Sequence, residues 1–246
     1  MHTAHVHTVM AESPKLRVLC LHGYRQDGQS FKSKLGGFRK ATKSVLDPVF
    51  IDAPHVIPES SNAEGSIAEP NVPGGRGWWF SSSQKSFNAQ EHTDVCVGFD
   101  DSVKAVEKAC CSLGPFDGIL GFSQGAAMAA LVLCLQSLGK LTTNFKFGVL
   151  IAGFKSRSTL HNVLYTDGLV KVPTLHIVGD TDAVIPKPQA MEIVPFFESP
   201  QVVYHPGGHF IPTGGSCKTD YLAFLREMLQ VCGQRQFMEN NEEPLE

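Results

Sequence analysis

The chain has 246 residues, 42% of them apolar and 18% charged, which excludes a disordered polypeptide or a charged rod and leaves room for one α/β domain with a full core. Its net charge is −3, and the tail sets Arg235 against Glu239, Glu242, Glu243 and Glu246, so the body is neutral and lacks the basic stripe that nucleic-acid binding needs. No run approaches the roughly 18 apolar residues of a membrane span, and residues 1–14 lack the apolar stretch of a secretory signal.

Seven cysteines, an odd number, contain no CxxC pair. Several, such as Cys20 and Cys134, sit inside apolar segments. This usage argues against a disulfide framework and a zinc module and for a reducing compartment. The expectation is a soluble cytoplasmic protein, with the nucleus as a second compartment. His2, His5 and His7 lack a carboxylate or thiol frame and read as part of a flexible tail rather than a metal site.

In chain order, Leu16–Leu21 is an apolar run that predicts a buried strand. Ser30–Lys43 predicts an amphipathic helix, weakened at Gly36 and Gly37 by roughly 1 kcal/mol each relative to alanine. Val45–Ile51 predicts a second strand. Residues 54–86 are rich in Pro, Gly and Ser without a clear period, and a loop of that length is commonly a lid or binding loop. Glu91–Cys111 carries Val95, Phe99, Val103 and Val106 at helical spacing.

Gly118–Phe122 predicts a strand and Gln124–Leu138 an Ala/Leu-rich helix. Strands follow at Phe147–Ala152, Thr174–Val178 and Gln201–Tyr204. Helices follow at Lys187–Phe197, interrupted near Pro195, and at Cys217–Val231. Continuous apolar strands alternating with helices imply a mostly parallel sheet covered on both faces. The division expected is a flexible N-terminus over 1–14, one α/β domain over 15–232 with the insertion over 54–86, and an acidic flexible tail over 233–246.

Gly121-Phe122-Ser123-Gln124-Gly125 is a G-x-S-x-G with an apolar run before it and a helix-forming run after it. That is the strand–turn–helix setting of a nucleophile elbow. A serine at its ordinary pKa needs a base oriented by an acid. Among the histidines that follow, His176 lies within a strand and His161 in a polar stretch. His209, after Pro206-Gly207-Gly208, is the candidate base, with His205 in reserve.

Asp180 and Asp182 both follow the strand Thr174–Val178, at the edge where open α/β sheets bind ligands, and residue chemistry alone divides them evenly. The backbone N–H of Gln124 is one expected oxyanion donor. That of Tyr24, after Leu21-His22-Gly23, is the second, with Arg25 in reserve and His22 as a brace. Trp78, Trp79 and Phe80 read equally as core and as the apolar wall of an acyl pocket, with Arg25 as a further candidate pocket residue.

Five ordered segments, LCLHGYRQDG, GWWF, GILGFSQGAAMA, HIVGDTDAVIP and HPGGHFIP, resemble the FSH-type serine hydrolases, the family of the ovarian-cancer-associated esterases. The resemblance spans about Leu16 to Val231. It implies an α/β-hydrolase fold and a Ser–Asp–His triad. The family's D-x-x-[IV]-P pattern falls on Asp182-Ala183-Val184-Ile185-Pro186, which favours Asp182 as the acid, and its Gly-Gly-His falls on His209.

The expected activity is a serine carboxylesterase acting on small acyl esters of medium to long chain through Ser123, His209 and Asp182, without metal or organic cofactor. A thioesterase would use identical chemistry. A ligand-binding protein on the same scaffold is the rival from another class. A nucleotide-binding domain is disfavoured because neither G-x-G-x-x-G nor the P-loop pattern surrounds Gly121. Oligomeric state is not legible.

Overall fold

A computed structural model describes residues 14–58, 74–166 and 169–239. The calls on residues 1–13 and 240–246, and on 59–73 within the insertion, lie outside them. Six strands form the main sheet: β1 (Leu16–Leu21), β2 (Leu46–Ile51), β5 (Gly118–Phe122), β6 (Phe147–Ile151), β7 (Thr174–Gly179) and β8 (Pro200–His205). All neighbours are parallel, in the order β2-β1-β5-β6-β7-β8. A separate antiparallel ribbon joins β3 (His55–Val56) to β4 (Arg76–Gly77).

Strand periodicity distributes the core. Leu19, Leu21, Ile119, Leu150 and Val178 face one side, where α3 (Phe99–Leu113) and α4 (Gln124–Ser137) pack. Val18, Cys20, Leu120, Val149 and Ile177 face the other, against α1 (Gly28–Lys34), α2 (Gly36–Thr42) and α6 (Gly215–Glu239). Helix α4 is buried all round from Gln124 to Leu135, which its small Ala-rich face permits. Helix α5 (Lys187–Met191) follows β7. This is the expected parallel sheet covered on both faces, in the α/β-hydrolase arrangement.

Four helix expectations need correction. The helix expected over Ser30–Lys43 is two helices, turning at Leu35 just before Gly36-Gly37. It also begins earlier, because Asp27 Oδ1 accepts from the Ser30 N–H at 2.6 Å and Ser30 Oγ accepts from the Asp27 N–H at 2.9 Å, a reciprocal cap.

The helix expected from Glu91 starts only at Phe99. Phe80 and Val97 exchange backbone hydrogen bonds of 2.9 and 3.0 Å, which hold Val97 extended, and Gly98 then turns the chain at φ 88°.

The segment expected to be helical over Lys187–Phe197 is α5 and a 3₁₀ turn, Val194–Phe196, with Pro195 at the break. At the C-terminus, α6 runs on to Glu239, so residues 233–239, assigned to the tail, are helical. Gly233 costs the helix only about 1 kcal/mol, too little to end it. The insertion, expected to be structureless, contributes β3 and β4 and continues directly into the buried run Trp78–Phe80.

Candidate active site

The sheet reverses its winding between β1 and β5, and the crevice beyond the carboxyl ends of these strands is where such sheets take ligands. Ser123 stands there, between β5 and α4, at φ 54° and ψ −120°. A non-glycine residue pays for that backbone only when the surroundings impose it. Here the Ser123 N–H donates to Ile151 O at 2.9 Å, and the Ser123 carbonyl accepts from the Ala126 and Ala127 N–H groups. The flanking glycines are obligatory: a Cβ on Gly121 would strike the Gly125 carbonyl, and one on Gly125 would strike the carbonyls of Leu21 and His22.

His209 lies beyond β8 and reaches back across the strand ends. Its Nδ1 is 2.7 Å from Asp182 Oδ2 and its Nε2 is 3.0 Å from Ser123 Oγ. A carboxylate only accepts, so Nδ1 carries the proton and donates, leaving Nε2 to accept from the serine hydroxyl. The histidine loop is tied to the Asp182 loop by Asp180 N–H to His205 O at 2.8 Å and Thr181 N–H to Gly207 O at 3.2 Å. The other oxygen of Asp182, Oδ1, accepts from the Val184 and Ile185 N–H groups at 2.9 and 2.8 Å. Both oxygens of that carboxylate therefore accept hydrogen bonds.

Asp180 is placed differently. Its side chain is 42% exposed and pairs with Lys187 Nζ at 2.7 Å, whereas that of Asp182 is 1% exposed. The reserve base His205 turns inward, accepting from Gly207 N–H at 3.3 Å and packing on Phe210, and burial lowers its pKa. His176 and His161 are core residues, each lowered to about 4 by burial. His161 sits between Ser156 Oγ at 2.7 Å and Cys96 Sγ at 3.2 Å. Burial pushes the Cys96 thiol up to about 12, so that pair is neutral and inert as a nucleophile.

Of the two expected oxyanion donors, Gln124 follows Ser123 directly at the start of α4, and Tyr24 follows Gly23, where an added Cβ would lie 3.4 Å from Ser123 Cβ. Among the described residues no acceptor engages the N–H of Tyr24 or of Gln124. The reserve, Arg25, is corrected: its N–H donates to Arg76 O at 2.9 Å and is unavailable. His22 braces the loop as expected. Its Nε2 accepts from Ala53 N–H at 2.9 Å, so Nδ1 carries the proton and donates to Gly23 O at 2.7 Å.

The pocket-wall reading of Trp78, Trp79 and Phe80 is corrected. Their exposures are 0%, 1% and 1%, so they face protein rather than an open groove. Phe87 is half-buried against the rings of Tyr24 and Trp79, and Val184 is half-buried within the Asp182 loop.

Two amides escaped the sequence. Gln90 Nε2 donates to Ala183 O at 3.1 Å and Val184 O at 2.9 Å, and Gln189 Nε2 donates to Ala89 O at 2.6 Å. They strap Ala89 and Gln90 to α5 and to the Asp182 loop, a pairing between distant segments that leaves no local signal. Among the described residues no group of three or more His, Cys, Asp or Glu side chains could hold a metal, and no helix is long and apolar enough to cross a membrane.

The sequence profile of the family described as Serine hydrolase (FSH1) matches residues 10–221. The chain belongs to that family. The resemblance read from the five segments is thus the right one, and the protein is an enzyme of the serine hydrolase class. Among its relatives, Esterase OVCA2 of Danio rerio is 42% identical over 220 residues, covering 86% of this chain and 96% of the fish protein.

Among solved structures, SOBER1 of Arabidopsis thaliana superimposes with a TM-score of 0.60 at 17% identity, over 88% of this chain and 100% of its own. Acyl-protein thioesterase 2 of Zea mays does so with a TM-score of 0.60 at 16% identity, over 87% and 94%. At such identities these two speak to the family's fold alone.

Proposed function

We propose that the protein is a serine carboxylesterase hydrolysing acyl esters of medium to long chain. The observation that carries this reading is the unbroken relay from Asp182 Oδ2 through His209 to Ser123 Oγ, at 2.7 and 3.0 Å. Ser123 attacks the acyl carbonyl while His209 Nε2 takes its proton. Asp182 holds the imidazole in the Nδ1–H tautomer and stabilises its positive charge. The N–H groups of Gln124 and Tyr24 receive the developing oxyanion, worth several kcal/mol of the barrier. Imidazolium then protonates the departing alcohol. Water activated by the same imidazole releases the acid and restores the serine.

The esterase names carried by relatives at about 40% identity support the reaction class. Chain-length preference is supported by the half-buried apolar side chains Phe87 and Val184 and by a neutral body that gives no steering to a polyanion. A second reading, acyl thioester hydrolysis, would run on the same triad chemistry, and the plant acyl-protein thioesterase shares the fold. A matched pair of oxygen ester and thioester with one acyl group separates the two.

The direct test is Ser123→Ala. Turnover of a p-nitrophenyl ester should vanish while the melting temperature stays within a few degrees of the wild type. Retained turnover in a folded Ser123→Ala protein would discard the mechanism.

A further inference from the structure

The buried segment Arg76–Trp79 runs between the two loops that carry the proposed oxyanion donors, and it is bonded to both. On the β1 side, Arg76 O accepts from the Arg25 N–H at 2.9 Å and the Arg76 N–H donates to Gln26 O at 2.8 Å. These bonds lie immediately beyond Tyr24. The indole Nε1–H of Trp78 donates to His22 O at 2.8 Å, two residues before Tyr24.

On the β5 side the partner is the side chain of Gln124. Its Oε1 accepts from the Trp78 N–H at 2.9 Å and its Nε2 donates to Trp79 O at 2.8 Å. The amide orientation is fixed by these partners, since a backbone N–H needs an acceptor and a carbonyl a donor. Gln124 is fully buried, and Ser102 Oγ donates to Trp78 O from the helix behind. The glycine before the pair is also constrained: a Cβ on Gly77 would press on the Tyr24 ring at 3.0 Å.

We infer that Trp78 and the side chain of Gln124 are positioning residues that set the separation of the Tyr24 and Gln124 N–H groups, and so the shape of the oxyanion hole. This rests on the hydrolytic reading of Ser123. Neither side chain need touch substrate. Trp78 fixes the carbonyl of one donor loop through its indole N–H, and the Gln124 side chain docks the same strut onto the residue whose own N–H is the other donor. A hole held from both sides is preorganised for the tetrahedral oxyanion rather than the planar carbonyl, so its loosening should penalise the transition state more than the bound ester.

The test uses Trp78→Phe, which removes the indole donor and keeps a large ring, and Gln124→Met, which removes both amide bonds and keeps the backbone N–H and the side-chain length. Active sites are first counted by the burst of a fluorophosphonate on each protein, so that unfolded material does not enter kcat. The expected result is a fall in kcat per active site of about 10- to 100-fold with KM within about twofold, since misplacement by an ångström can cost that much. Affinity for a trifluoromethyl ketone, whose adduct places an oxyanion in the hole, should fall in step with kcat/KM, and the pH profile of kcat should keep its midpoint.

A merely structural role would lower the melting temperature and the count of active sites but leave kcat per site and ketone affinity unchanged in both variants, and that result would overturn the inference. A wild type that neither reacts with the fluorophosphonate nor turns over any ester would instead overturn the hydrolytic reading, and this inference with it.

Discussion

Asp180 and Asp182 stand two residues apart at the end of β7, and their carboxylates point into opposite environments. Asp182 accepts from His209 and from two backbone N–H groups, and its side chain is 1% exposed. Asp180 sits at the surface against Lys187. Such an exposed pair is screened by solvent and holds little stability. The reciprocal expectation is sharp. Asp182→Asn should lower kcat by roughly four orders of magnitude, because the amide favours the wrong imidazole tautomer. Asp180→Asn should change it by less than about threefold. Steady-state kinetics on the two folded variants checks the ranking, and a reversed order would show the acid to be misassigned.

The proposed chain-length preference assigns the acyl chain to the half-buried apolar side chains Phe87 and Val184. Each further methylene buried there can contribute roughly 0.8 kcal/mol. Values of kcat/KM for p-nitrophenyl esters, measured below micelle concentrations, should climb from acetate into the medium chains. Phe87→Ala should flatten that climb while leaving acetate turnover little changed. A maximum at acetate would mean a short closed pocket and would end the chain-length proposal without touching the triad.

Acid stability follows from two core imidazoles. Burial lowers His161 and His176 from 6.5 to about 4, so between those values the unfolded chain binds more protons than the folded one. Stability therefore rises with pH through that window: it is fully present above about pH 6.5 and is lost as pH falls toward 4. Calorimetric melting temperatures should be flat above pH 6.5 and decline from there to pH 5, before most carboxylates protonate. His176→Gln should make that decline shallower. An equally steep decline in the variant would place the proton uptake elsewhere.

Much of the sheet was legible because its strands are buried on both faces and so read as continuous apolar runs: Leu16–Leu21 has the expected bounds, and so does Gly118–Phe122. The elbow was legible because the two glycines flanking one serine are dictated by steric contact at a tight turn. What the chain concealed was tertiary. The late start at Phe99 depends on the Phe80–Val97 pairing rather than on local propensity, whereas the break at Leu35 falls just before the Gly36-Gly37 pair already marked as weak.

The role of the Trp-Trp pair was open for the same reason, since an aromatic run reads alike as core and as pocket until its neighbours are known. The straps from Gln90 and Gln189 join segments about a hundred residues apart, which no spacing announces. Asp180 and Asp182 were equivalent as chemistry, and only the resemblance separated them before the hydrogen bonds did.

The proposed chemistry begins at one oxygen, Ser123 Oγ, and the most direct measurement is peptide mapping by mass spectrometry after reaction of the wild type with a fluorophosphonate. The expected result is a single adduct on the peptide holding Ser123, formed in step with loss of ester turnover, greatly slowed in His209→Gln and absent in Ser123→Ala. An unmodified Ser123 in a protein that has lost its turnover, with the adduct on another residue, would contradict it.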